Sequence, residues 1–188
     1  MASVRLTAFT DGGCTQNGKP GARAAYAAVI YAGADQVDAI SGRVASHELE
    51  LDVASHELKS RGAVATPVAP SNNRGELLGI IHGLRAMIAY GRAHPDVTSY
   101  ELVTDSRICA MTLLSWLPTR RAAGTVNKLK NLDLVEIAEA LLAALRGVGP
   151  VTITVVRSHI KTPPADAQAR FSWQGNAAAD ALATAALA

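Results

Sequence analysis

Three strand-like runs follow one another with only short turns between them, and then the pattern changes to alternating helix and strand. Residues 3–10, 24–31 (AAYAAVIY) and 37–44 are apolar or alternating, joined by polar turns, which is the pattern of an antiparallel meander. Beyond Ser71-Asn72-Asn73, which offers helix N-cap chemistry, Leu77, Ile80, Ile81, Leu84 and Ile88 recur at helical spacing up to Gly91, where the helix is expected to end. Residues 101–104 (ELVT) read as a short strand and 106–117 as a second helix. Residues 132–145 read as a third helix, 151–156 (VTITVV) as a strand and 176–188 as an alanine-rich helix. The order βββ-α-β-α-α-β-α predicts an α/β fold. Its sheet is five-stranded and mixed, three antiparallel strands and then parallel ones, flanked by helices.

Residues 1–188 read as a single domain, and a hydrophobic content of 49% supplies its core. No apolar run approaches the ~20 residues that span a bilayer, and no signal-peptide core is visible. Cys14 and Cys109 lack metal or redox spacing and read as reduced thiols, so a cytoplasmic setting is expected. A net charge of +2 permits nucleic-acid binding without demanding it, and 4% aromatics argue against a base-stacking platform.

Two segments stand apart. VASHELE at 44–50 recurs as VASHELK at 53–59, which suggests an extended hairpin or loop over 44–70, with 61–70 (RGAVATPVAP) as loop. His47, Glu48, His56 and Glu57 in it suit an exposed hairpin better than a second metal site. Residues 118–130 are polar and basic, with Arg120, Arg121, Lys128 and Lys130, and Trp116 just before them is expected in the core. Residues 160–174 are expected to form a long loop that Phe171 and Trp173 pin down.

Acids mark the chemistry. Two strands run into aspartate, Phe9-Thr10-Asp11 and Val103-Thr104-Asp105, and ligands gather beyond strand ends in α/β sheets. Glu76 lies in the first turn of a helix and Asp180 early in the last one. Each has a plain structural reading as turn, dipole partner, cap or solvated residue. Gathered at sheet level, four acids would need divalent cations, and an all-oxygen site suits Mg2+ or Mn2+. Gly12 and Gly13 would let a substrate backbone approach closely.

These contexts resemble ribonuclease H of type 1. FTDGGC (9–14), NNRGEL (72–77), VTDS (103–106), KNLDL (130–134) and GNAAADALA (175–183) are similar to that family's motifs, in family order. The resemblance implies the ribonuclease H-like fold and an endonuclease that hydrolyses the RNA strand of RNA/DNA hybrids. It implies two Mg2+ ions, with Mn2+ as substitute, and products with a 5′-phosphate and a 3′-hydroxyl. Asp11, Glu76, Asp105 and Asp180 match the metal-binding carboxylates, Asp11 being shared by both ions. His159 matches a histidine that serves proton transfer or product release. Gly12, Asn17 and Asn73 match positions that touch the RNA strand, and Cys14, Ser71, Asn72 and Asn131 positions near the DNA strand or its phosphate. The expected partner is the hybrid alone, with no membrane and no obligate protein, for a monomer. A related-fold DNA nuclease (resolvase or 3′–5′ exonuclease) and a catalytically silent hybrid-binding module are the competing readings.

Overall fold

The computed structural model of the chain describes residues 3–62, 68–158 and 160–188. Strand β1 (Val4–Thr15) is the central strand. It pairs antiparallel with β2 (Arg23–Ala32) on one side and parallel with β6 (Val97–Thr104) on the other. Strand β3 (Asp35–Arg43) extends the sheet beyond β2 and β7 (Val151–Val155) extends it beyond β6. The order is β3-β2-β1-β6-β7, the five-stranded mixed sheet that the sequence predicts.

Helices α1 (Asn72–Ala93) and α4 (Leu132–Arg146) lie on one face, where Leu6, Ile30 and Leu102 meet Leu84, Met87 and Leu141 in the main core. Helix α5 (Ala167–Leu187) covers the other face, over Phe9, Val29 and Val103. Between β6 and α4 runs a helical segment, α2 (Arg107–Met111), a π turn (Thr112–Trp116) and α3 (Leu117–Ala122). No helix among the described residues is long and apolar enough to cross a membrane.

The VASHEL duplication forms its own hairpin, β4 (Leu49–Asp52) with β5 (Glu57–Ser60). Leu49, Leu51 and Leu58 pack against the main core, so the insertion is an added layer over α1 and α4. Residues 63–67 of the expected 61–70 loop lie outside the described residues.

Several boundaries differ from expectation. Strand β1 does not stop at residue 10; it continues to Thr15 because β2 goes on pairing with it as far as Thr15↔Arg23. Gly91 does not end α1. It sits inside the helix at a point where the Tyr100 ring packs against it, and an added Cβ would stand 2.2 Å from Tyr100 Oη. Trp116 is not core: the π turn gives Leu113 and Leu117 the inward face and leaves Trp116 43% exposed. Residues 167–174 are not loop but the first two turns of α5, capped by Asp166, whose carboxylate accepts from Ala169 N at 2.8 Å. Phe171 fixes those turns by edge-on contacts with Phe9 and Tyr31, ring centres 5.3 and 5.2 Å apart.

Candidate active site

The site follows from strand register. The parallel pairing of β1 with β6 ends at Thr10↔Thr104, and the next residue on each strand is an aspartate. Asp11, still within β1, and Asp105, just past the end of β6, therefore stand side by side at one level on neighbouring strands, whose spacing is ~4.8 Å.

Helix α1 brings the third acid through glycine. Its first turn lies directly on β1, so that a Cβ on Gly12 would stand 2.1 Å from Glu76 N and one on Gly75 would stand 2.4 Å from Ala25 O. A Cβ on Gly79, one turn on, would stand 2.8 Å from Asp11 O. Helix and sheet backbones are in contact, and Glu76 is held at the level of the aspartates. Ser71 Oγ accepts from Arg74 N as the N-cap. Asn17 Oδ1 accepts from Asn72 N at 3.2 Å, tying the β1–β2 turn to the helix start. The Asn72 amide in turn donates to Glu76 Oε1 at 3.4 Å.

Asp11, Glu76 and Asp105 each offer an oxygen, all within 4.8 Å of one another. Asp180, on α5, lines the same cavity, of about 550 Å3, and stands close enough to act on Asp11. Burial first, then repulsion from Asp105 and Asp180, pushes the Asp11 carboxyl up to about 7, although Gly12 N donates to Oδ1 at 2.8 Å. Burial, then Asp11 and Asp105, pushes the Glu76 carboxyl up to about 9. Glu76 Oε2 is buried without a hydrogen-bond partner. Among the described residues the cluster thus has no cationic side chain paired with it, and an all-carboxylate set with an orphaned buried oxygen fits a hard divalent ion.

A second buried charge lies nearby. Arg74 Nη1 and Nη2 donate to the two Asp133 oxygens at 2.9 and 2.8 Å, with the two side chains 1% and 5% exposed. Burial works to raise the Asp133 carboxyl, but the guanidinium outweighs it and holds the carboxyl below its usual range. Leu49 N also donates to Asp133, so the pair joins α1, α4 and the inserted hairpin.

The other expected residues do not all reach the acid cavity. Gly12, Gly13, Asn72 and Asn73 line the acid cavity. Asn131, at φ 55°, lines a separate groove of about 280 Å3 with Asn73, Lys128, Lys130, Arg120 and the outward Trp116. Cys14 and Asn17 sit at the end of β1 and in its turn, and Ser71 caps α1. His159 lies outside the described residues. The sequence reading passed over Asn176, whose Nδ2 donates to Asp105 Oδ2 at 3.5 Å. Its place four residues before Asp180, on the same helix face, was a usable signal. It also passed over the Arg74–Asp133 pair, although both residues sit inside the NNRGEL and KNLDL motifs.

A mixed sheet of this order, with carboxylates where the parallel pairing of its central strands ends and a helix start laid against them, is the ribonuclease H fold. The RNase H family model matches residues 3–188, and the chain belongs to that family. It is 27% identical to a ribonuclease H of Methylorubrum extorquens (strain PA1), over 98% of this chain and 60% of that protein. The chain thus spans less than two thirds of that relative. Among solved structures it is similar to LC9-RNase H1, described as a type 1 RNase H with the type 2 active-site motif. The TM-score is 0.62 at 18% identity, over 100% of this chain and 74% of that one. It is equally similar to the RNase H domain of PFV, with TM-score 0.62 at 18% identity, over 100% of this chain and 96% of that domain.

Proposed function

We propose that this chain is an endonuclease that hydrolyses the RNA strand of RNA/DNA hybrids. The observation that carries the reading is the convergence of Asp11, Glu76 and Asp105 within 4.8 Å, with no ion pair to any of them among the described residues, on the fold of this family. Two divalent cations, Mg2+ or Mn2+, would supply the charge that activates water and stabilises the leaving oxygen. Asp11, Glu76, Asp105 and Asp180 would hold them, with Asp11 central because it faces each of the other three. In-line attack by water would leave a 5′-phosphate and a 3′-hydroxyl.

The remaining residues position the substrate. Gly12, Gly13 and Asn73 lie where a strand seated on the acids would pass, and Asn17 holds the helix start through Asn72. Asparagine amides and bare backbone suit a hybrid, which is read through 2′-hydroxyls and groove shape. Cys14, Ser71, Asn72 and Asn131 take the DNA-strand side. His159, by family resemblance, assists proton transfer or product release. Residues 1–188 act as one nuclease domain and as a monomer, with the 44–70 and 160–174 segments as its additions.

The test is cleavage of an end-labelled RNA/DNA hybrid with Mg2+, beside single-stranded RNA, double-stranded RNA and double-stranded DNA. RNA-strand cutting in the hybrid alone, lost in Asp11→Asn, is expected. Cutting of DNA would move the chain to the resolvase or exonuclease side of the fold, and binding without cutting would mark a silent module.

A further inference from the structure

The duplicated VASHEL segment has no part in the nuclease reading, yet it builds a cavity of its own. This space of about 390 Å3 is lined from the β4–β5 hairpin, β2 and α1, and it shares no lining residue with the acid cavity. The two copies each give it their leucine, Leu49 and Leu58, and α1 adds Leu78, so part of the lining is apolar.

The polar part centres on Arg85. Its side chain is half-buried, its Nε donates to His56 O, and it makes no ion pair and no other hydrogen bond among the described residues. His56 takes a left-handed φ of 57° where it offers that carbonyl, an uncommon conformation for a residue with a Cβ. One turn back on α1, the His82 imidazole stacks on the Tyr26 ring, with centres 4.4 Å apart and planes 5° from parallel. Burial, and then Arg85, pushes the imidazole down to about 4, so His82 adds no charge at neutral pH. Arg43 is the second cation of the lining, and its Nε and Nη2 donate to Ala186 O and Leu187 O at the end of α5. Glu57, exposed to solvent, is the acid of the lining. Two guanidiniums against one carboxylate leave one net positive charge.

We propose that this cavity binds a small organic carboxylate, a single carboxylate group on an apolar body of one or two rings. A half-buried guanidinium with no counter-charge is costly unless an anion meets it. The planar fork of arginine matches the two oxygens of a carboxylate. One net positive charge suits a monoanion, whereas a phosphate dianion would also meet the repulsion of Glu57. The volume falls in the ~300–1,000 Å3 range of pockets for small organic ligands. The three leucines and the stacked Tyr26–His82 pair cover the apolar body. Such a ligand ties the inserted hairpin to α1, because its partners come from both. The proposal does not depend on the nuclease reading.

The test uses the full chain, isotope-labelled for NMR and kept in EDTA so that no divalent ion bridges an anion to the acid cluster. Naphthoate, naphthamide, acetate and inorganic phosphate are titrated in turn. Naphthoate is expected to shift the amide signals of Leu58, Leu78 and His82 saturably. Naphthamide, which lacks the charge, and acetate, which lacks the body, should bind about 10-fold more weakly or worse. Arg85→Gln should weaken naphthoate binding by about 10-fold or more. That variant also loses the contact to His56 O, so Glu57→Gln, which leaves the contact in place, is the independent check. It removes a like charge and should tighten binding by about 2- to 3-fold. Arg92→Gln, at the far end of α1, should bind as wild type. Naphthoate that leaves these signals unmoved, or that binds no better than naphthamide, overturns the site. So does an affinity that both Arg85→Gln and Glu57→Gln leave unchanged. Phosphate binding more tightly than naphthoate overturns the carboxylate assignment.

Discussion

Two buried carboxylate sites lie on either side of the first turn of α1, and they are opposites. Asp133 is met by both prongs of Arg74, and its carboxyl is held below the usual range. Asp11 and Glu76, as deeply buried, accept from the Gly12 amide and the Asn72 side chain but meet no cation among the described residues, and their carboxyls are pushed up to about 7 and about 9. Burial costs both sites alike; only one contains its counter-charge. A compensated buried charge serves the fold. An uncompensated cluster stores repulsion that the rest of the domain must offset, and it is useful only where a cation arrives from outside.

Four experiments would break or sharpen this contrast. The largest effect belongs to the acid cluster. Asp11→Asn should lower hybrid cleavage by about 1,000-fold or more, yet raise the melting temperature of the metal-free protein, because it relieves repulsion. Lower activity together with lower stability would mean that Asp11 is structural.

Next comes the compensated site. Asp133→Asn should cost about 3–5 kcal/mol in urea unfolding, since it strands the Arg74 guanidinium in the core. The double change Arg74→Met with Asp133→Leu should recover most of that. No recovery would show that the pair does more than join α1 to α4.

Opposite pH dependence follows. Asp11 and Glu76 have folded pKa values above their ordinary 3.8 and 4.5, so the folded form holds protons more tightly than the unfolded chain. Their contribution is favourable at low pH and is lost as pH rises from about 4 through about 7 and about 9. Asp133, held below its ordinary value, contributes stability above that value and loses it as pH falls. Metal-free protein should therefore melt lower at pH 9 than at pH 6, and added Mg2+ should raise the melting temperature more at pH 9 than at pH 6. Equal Mg2+ effects at the two values would contradict the assignment.

The smallest effect is at Trp116. Its 43% exposure predicts that Trp116→Ser changes stability by no more than about 0.5 kcal/mol. A loss of several kcal/mol would return it to the core.

What the sequence made legible follows the same division. The mixed sheet could be read because the switch from meander to alternation is a matter of periodicity, and Asp11 and Asp105 could be read because each directly follows a β-rich run. Glu76 and Asp180 became readable through the motifs around them. Features set by contacts between distant segments were hidden. Gly91 looks like a helix end until Tyr100 is seen against it. Residues 167–174 look like loop because polar residues and Gly175 mask a helix held by Asp166, Phe171 and Trp173. Trp116 looks buried by composition, but the π turn rotates it outward. The Arg74–Asp133 pair spans 59 positions, and no local pattern joins its two halves.

The most direct measurement is calorimetric titration of the protein with Mn2+ at pH 7, repeated in buffers of different ionisation enthalpy. If the acid cluster is a cation site held in a protonated state, binding must release protons. The account predicts release of about one proton or more per protein, abolished along with tight binding in Asp11→Asn, while Arg92→Gln behaves as wild type. Binding that releases no protons, or that survives Asp11→Asn unchanged, would contradict it.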